Sequence, residues 1–240
     1  MVEIGVDLVA ANPNLTFIFF IGLAILAVLG LRFAYYAHRN RTETEITAQT
    51  RIWSHLLYVG VFATLYALSG LLEIVTSLQL PEKSALLLAT TLLLAFAIRH
   101  INHVAASAGA DEKLWLGERA VRVASVGAVF LLAVVVSVDG TSQLTAAVEG
   151  LSATAFLGYG VICVRGQMAA PRLQGTMLDS LLRHLLPVLA FTGLVSVVNL
   201  AAAAGLDRIV VLHVQVVFII MAATALMTAT IKLRQNLAGL

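Results

Sequence analysis

Charge is what this chain has least of. Only 12% of its 240 residues are Asp, Glu, Lys or Arg, whereas 60% are hydrophobic, and the mean hydropathy is +0.95. Soluble domains carry about 25% charged residues, so a chain with half that share has lipid as its solvent. Cysteine is nearly absent: Cys163 stands alone, which excludes a disulfide framework and a cysteine-based metal centre. No Pro- or Gly-rich linker separates soluble units, and no gap between apolar segments exceeds about 20 residues. One domain spanning residues 1–240 is therefore expected, without a catalytic domain outside the membrane. No G-x-S-x-G, H-E-x-x-H, P-loop or dinucleotide fingerprint occurs, which points away from an enzyme. No nucleic-acid partner is expected. Ahead of the first apolar run stand Glu3 and Asp7 and no basic residue. The segment thus lacks the n-region of a signal peptide, and the first helix is expected to remain in the mature protein.

Long hydrophobic runs dominate the rest. A spanning helix needs ~20 mostly apolar residues, and seven segments qualify, at about 15–37, 52–79, 84–106, 120–139, 143–164, 182–204 and 209–232, with ends good to about four residues. Turn and charge signals such as Asn12-Pro13-Asn14, Pro81-Glu82-Lys83 and Asp139-Gly140 separate them. They must be helices, because lipid offers no partner to a free backbone N–H or C=O. Of the 15 Lys and Arg, only Lys83 and Arg208 fall on one side; the other thirteen, from Arg32 to Arg234, fall on the opposite side. By the positive-inside rule the rich side is cytoplasmic. The expectation is an all-α multi-pass protein of the cell membrane, with seven transmembrane helices, the N-terminus out and the C-terminus in the cytoplasm.

Shifting the chain on itself by 129 residues brings His55-Leu56-Leu57 onto His184-Leu185-Leu186, Val59 onto Val188, Phe62 onto Phe191 and Leu15-Thr16 onto Leu144-Thr145, without a gap. An internal repeat of this kind places residues 15–106 on 144–235, with the helix at 120–139 as connector. The result is a 3+1+3 plan with its pseudo-axis along the membrane normal. In this architecture the chain resembles the microbial rhodopsins and the PQ-loop sugar transporters. Thr90-Thr91-Leu92-Leu93-Leu94 resembles a rhodopsin third helix, and Pro187 the proline of its sixth. The resemblance implies a seven-helix protein that binds or moves a small ligand or ion. The lysine that would hold retinal is missing: the middle of the last helix reads Ile219-Ile220-Met221-Ala222-Ala223-Thr224-Ala225, and Lys232 sits at its end. The third helix has no counter-ion carboxylate, so covalent retinal is not expected. The Pro-Gln pair is missing too, since Val188 follows Pro187.

Ionisable groups within spanning helices are costly and mark function. They form two layers. The outer one holds Glu73, Glu149, Asn199, His213 and Gln215, with Glu73 expected deepest and His213 as the partner that would keep it charged. Two carboxylates with imidazole and amide groups suit a proton, a cation or a polar ligand. Interhelical hydrogen bonding alone is the alternative. The cytoplasmic layer holds His55, Arg99, His100, His103 and His184. As repeat mates, His55 and His184 are expected to face each other, as in axial haem ligation or a shared metal, with Arg99 and Arg122 available to propionates or a phosphate headgroup. These four histidines are enough in number for a metal hydrolase. Snorkelling to the interface explains the same layer without a ligand. Gly22, Gly30, Gly60, Gly70, Gly127, Gly158 and Gly160 are expected at close helix contacts. Trp53 and Trp115 are expected in the interfacial belt, and the tyrosines in packing or in a pocket lining.

The leading expectation is a small ligand or ion bound through the outer cluster. Haem b or a metal held by the histidines is the second, and a structural subunit of a membrane complex the third. A homo-oligomer fits any of them.

Overall fold

The computed structural model describes residues 8–44, 47–76, 78, 80, 82–106, 118–139, 143–168 and 177–238; side chains of 47–49, 102–106, 118–122, 137–139 and 165–168 lie outside that description. After a 3-10 turn at Val9–Ala11 come α1 (Pro13–Glu43), α2 (Thr47–Val75), α3 (Lys83–Ala106), α4 (Glu118–Asp139), α5 (Gln143–Met168), α6 (Met177–Val197), the short α7 (Asn199–Ala203) and α8 (Arg208–Ala238). Six of these helices are long and apolar enough to cross a membrane; in α4 the apolar stretch Val123–Val136 is shorter. The protein is an all-α, multi-pass membrane bundle.

Local chemistry sets the helix ends. Asn12 caps α1 by accepting from Leu15 N at 3.2 Å, with Pro13 in the first turn, where its missing N–H costs nothing. Thr16 Oγ1 donates to Asn12 O and accepts from Val9 N, tying the 3-10 turn to the helix. The apolar pattern placed the end of α1 near 37, but the helix runs to Glu43, because the Arg39–Glu43 pair extends it beyond its apolar part. In contrast α2 stops at Val75, short of the 79 expected. Thr76 Oγ1 donates to Leu72 O and accepts from Leu78 N, and the Glu73 carboxylate takes Leu80 N; these bonds turn the chain. The segment expected as one helix over 182–204 contains a step. At Ala201 the bonding tightens to Val198 O, and α7 follows α6 as a separate turn. Gly205, at φ +92°, closes it, with Leu206 N bonded to Ala201 O in the manner of a Schellman end.

The tightest crossing joins α1 and α2. A Cβ on Gly60 would stand 2.6 Å from Ala34 N and 2.8 Å from Gly30 O, so backbone lies on backbone. At the α5–α6 crossing the small residue is Gly160, which receives Leu189. Gly127 and Gly158, expected at such contacts, meet nothing. Trp53, expected in the interfacial belt, is instead 1% exposed in the core; Trp115 lies outside the described residues. The first half of the bundle docks on the last helix. Gly22 packs on Ile219 and Ile220, and further along Asn40 Nδ2 donates to Leu233 O while Asn236 bonds Asn40 Oδ1. α1 and α8 therefore run parallel. So do α3 and α5, with Ser84 beside Glu149 near their starts and Ala95 beside Gly160 further along. α4 is peripheral. Leu132 and Val136 pack on Leu88, Leu92, Ala153 and Phe156, while Val123, Val126, Phe130, Leu131 and Val134 are exposed.

Candidate functional site

At the end of the bundle where α1 begins, five helices bring polar side chains together. Glu149, nearly two turns into α5, is only 3% exposed. Ser84 of α3, Ser196 of α6 and Asn199 of α7 surround its carboxylate, and Lys83 lies within electrostatic reach. Ser196 is fully buried, and its Oγ has no partner at hydrogen-bonding length. Among the described residues Glu149 has no ion-pair partner. Asn199 Oδ1 accepts from Gln215 Nε2 of α8 at 2.6 Å, and the same amide group donates to Val195 O at 3.2 Å. The step between α6 and α7 is what turns Asn199 toward α8.

Glu73 belongs to a different unit. It stands two residues before the end of α2, is paired with Lys83, and accepts from Leu80 N at 2.9 Å. With 21% of its side chain exposed, it is not the deepest carboxylate; Glu149 is. Nor is His213 its partner. That side chain is exposed and its Nδ1 is bonded to Ile209 O. The sequence expectation is thus corrected on both points. Along α2 the depth of Glu73 was inferred from a helix assumed to run on to 79, whereas the helix ends at Val75. Of the five residues expected in the outer layer, the fold gathers Glu149, Asn199 and Gln215, places Glu73 alongside through Lys83, and turns His213 away.

Inward from this cluster lies a cavity of about 20 Å³ between α1, α2, α3, α6 and α8. Apolar side chains form most of its wall, and Tyr66, Thr90 and Thr192 are its polar members. Tyr66 is within electrostatic reach of both Glu149 and Glu73. Ser84, Ser196, Thr90 and Thr192 were not read as site residues, and Tyr66 only as one of the tyrosines that pack or line a pocket. The available signal was the i, i+4 spacing of Thr192 and Ser196 with Asn199 three further on, which puts hydroxyl and amide groups on one helical face.

At the opposite end, His55 does not face His184. Its ring meets His100, with centroids 4.9 Å apart at 43°, and α6, which carries His184, packs chiefly on α8, α5 and α3. Both repeat mates make the same local bond, Nδ1 to the carbonyl four residues back, Arg51 O and Ser180 O respectively. Two imidazoles on opposite faces of one haem iron need ring centres roughly 6 Å apart, given ~2.0 Å metal–nitrogen bonds, with the macrocycle between them. The His55–His100 contact leaves no such gap. No group of three metal-ligating side chains occurs among the described residues; the His103 and Arg122 side chains lie outside them. Arg99 lies near Tyr159 and Cys163.

No protein-family model matches the chain, and neither a curated protein nor a solved structure matches it.

Proposed function

We propose that the protein is a seven-helix membrane protein of 3+1+3 plan, N-terminus out, that binds or conducts a small ligand or ion through the polar site around Glu149. The parallel course of α1 and α8, and of α3 and α5, supports the seventh crossing. A single helix between two parallel neighbours must run back across the bundle. At 1.5 Å per residue, the 22 residues of α4 extend roughly 33 Å, enough for a hydrocarbon core of ~30 Å. The repeat is supported by helix bounds that correspond under the 129-residue shift, α1 with α5, α2 with α6 and α7, α3 with α8. Lys83 and Arg208 lie at the Glu149 end, which the positive-inside rule makes the outer one.

The observation that carries the functional reading is Glu149, a carboxylate buried in a membrane bundle with no ion-pair partner among the described residues. Burying an uncompensated charge is expensive, so the site calls for a proton, a cation or a donor-bearing ligand. Covalent retinal has no mid-helix lysine to hold it, and among the described side chains His55 meets His100 and not its repeat mate His184. The test is thermal melting of the protein in lipid nanodiscs across a pH series and a series of Na+, K+ and Ca2+ concentrations. A species that binds only the folded state raises the melting temperature in proportion to its occupancy. Wild type is expected to respond to pH or to one of the cations, and Glu149→Gln to lose that response. An identical response in Glu149→Gln would sink the assignment. Glu43→Gln, at an exposed pair outside the site, serves as the control.

A further inference from the structure

We infer that the species taken up by Glu149 is a proton, and that one water, held by Tyr66, Thr90 and Thr192 in the central cavity, links the site to the bundle centre. This rests on the functional reading above and narrows it.

The donor pattern around Glu149 argues against a metal ion. Hard cations collect oxygen ligands, six or more for calcium. Here Asn199 Oδ1 is already occupied by Gln215, and both Gln215 Nε2 hydrogens are directed at Asn199 and Val195. What Asn199 has left for Glu149 is its NH2 group, a donor. Ser84, Ser196 and the Lys83 ammonium offer donors as well. The amide NH2 and the ammonium have no lone pair to give a metal ion, which leaves Glu149 itself and two hydroxyls, fewer oxygen ligands than a hard cation collects. The groups facing Glu149 are Tyr66 from α2, Lys83 and Ser84 from α3, Ser196 from α6, Asn199 from α7 and, through Asn199, Gln215 from α8; Glu73 of α2 joins through Lys83, and the described side chains of α4 include no titratable one.

The central cavity is too small for an organic solute. Small-molecule sites measure about 300–1,000 Å³, and this cavity measures about 20 Å³. A water needs at least ~10–15 Å³ by the same measure and 2–4 polar partners. The wall provides three, with complementary roles. Thr90 Oγ1 donates to Leu86 O at 2.8 Å and Thr192 Oγ1 to Val188 O at 2.6 Å. With their hydrogens spent on their own helices, both threonines present only lone pairs to the cavity. Tyr66 makes no hydrogen bond to another described group, so its O–H is free to donate. A water there donates to the two threonines and accepts from Tyr66, and every polar group is satisfied. Ser196, one turn beyond Thr192 on the same face of α6, continues the line to Glu149. Val59, Val188 and Leu226 close the inner side.

Infrared difference spectroscopy of the full chain in lipid, titrated with acid, reads this directly. A carboxyl C=O band should grow on acidification, be lost in Glu149→Gln, and ignore Na+, K+ and Ca2+ at fixed pH. The band should shift in Tyr66→Phe and in Thr90→Val/Thr192→Val without disappearing, and Thr90→Ser should restore the wild-type position. A water O–H band that moves in H2-18O should vanish in the double valine variant. Tyr66→Phe removes a single oxygen, so the water link stays testable if the double variant does not fold. An unshifted C=O band in Tyr66→Phe overturns the link. A cation-dependent melting rise that Glu149→Gln abolishes overturns the proton while sparing the Glu149 site. A pH and cation response shared by wild type and Glu149→Gln removes the site itself.

Discussion

Gln215 and Glu149 show two situations of a polar side chain in this bundle, one tying helices together and one buried without an ion-pair partner among the described residues. Gln215 joins α8 to the α6–α7 step through two hydrogen bonds. Interhelical hydrogen bonds in membranes average only about 0.6 kcal/mol, because the unfolded chain in lipid also finds partners. If tethering were its only task, Gln215→Leu would cost about that much and leave the response at Glu149 intact. Because Gln215 sets which face of Asn199 points at the carboxylate, we expect a small loss of melting temperature together with a changed acid titration of the carboxyl band. A stability loss with an unchanged titration would reduce Gln215 to a strut. The threonines follow a different rule. Thr64, Thr90, Thr91, Thr154, Thr192 and Thr230 all donate to the carbonyl four residues back, which satisfies a hydroxyl in lipid without any partner helix. At Thr16 and Thr76 the lone pairs of such a hydroxyl also accept a backbone N–H, and at Thr90 and Thr192 they face the central cavity.

At the scale of the helix, small residues decide how closely two elements approach. Gly60 is the sharpest case, since the atoms within 2.8 Å of an added Cβ include Ala34 N and Gly30 O. Backbone cannot rotate aside as a side chain can. Gly60→Val must push α1 from α2 and should cost roughly 1–3 kcal/mol, the range for overpacking, read as a lower melting temperature in nanodiscs. Gly127 on α4 is the opposite case. Nothing lies within 4 Å of its added Cβ, and Gly→Ala inside a helix gains about 0.5–1 kcal/mol from backbone entropy. Gly127→Ala is expected to be neutral or stabilising, and a clear destabilisation would show that α4 has a partner on that face.

Over the whole molecule, the parallel course of α1 and α8 puts the start of α1 and the end of α8 at opposite ends of the bundle. The proposed topology makes a direct prediction. In a Cys163→Ser background, Leu8→Cys should be labelled on intact cells by an impermeant maleimide, and Ala238→Cys only after permeabilisation. Labelling of both from one side would mean an even number of crossings and end the seven-helix plan. Native Cys163, buried among α5 and its neighbours, should stay unlabelled throughout. Most of this architecture was legible in the chain. Lipid forces every buried backbone group into a helix, so apolar runs translate into spans with little ambiguity, and the starts of α3 and α5 fell within one residue of expectation. Helix ends in water were less legible, because pairs such as Arg39–Glu43 prolong helices beyond their apolar parts.

The sequence by itself determined that this is a helical membrane protein, roughly where its helices lie, and that Glu149, Asn199 and Gln215 belong to one polar layer. Composition and hydropathy suffice for this, because the cost of polar atoms in lipid acts residue by residue. Which groups meet within a layer was decided only by the tertiary structure. A residue's depth is fixed by its place along one helix, but its facing depends on helix rotation and on which helices are neighbours. That is why His55 meets His100 instead of its repeat mate, and why Lys83 takes Glu73. With Lys83 so engaged, Glu149 lies buried among hydroxyl and amide groups.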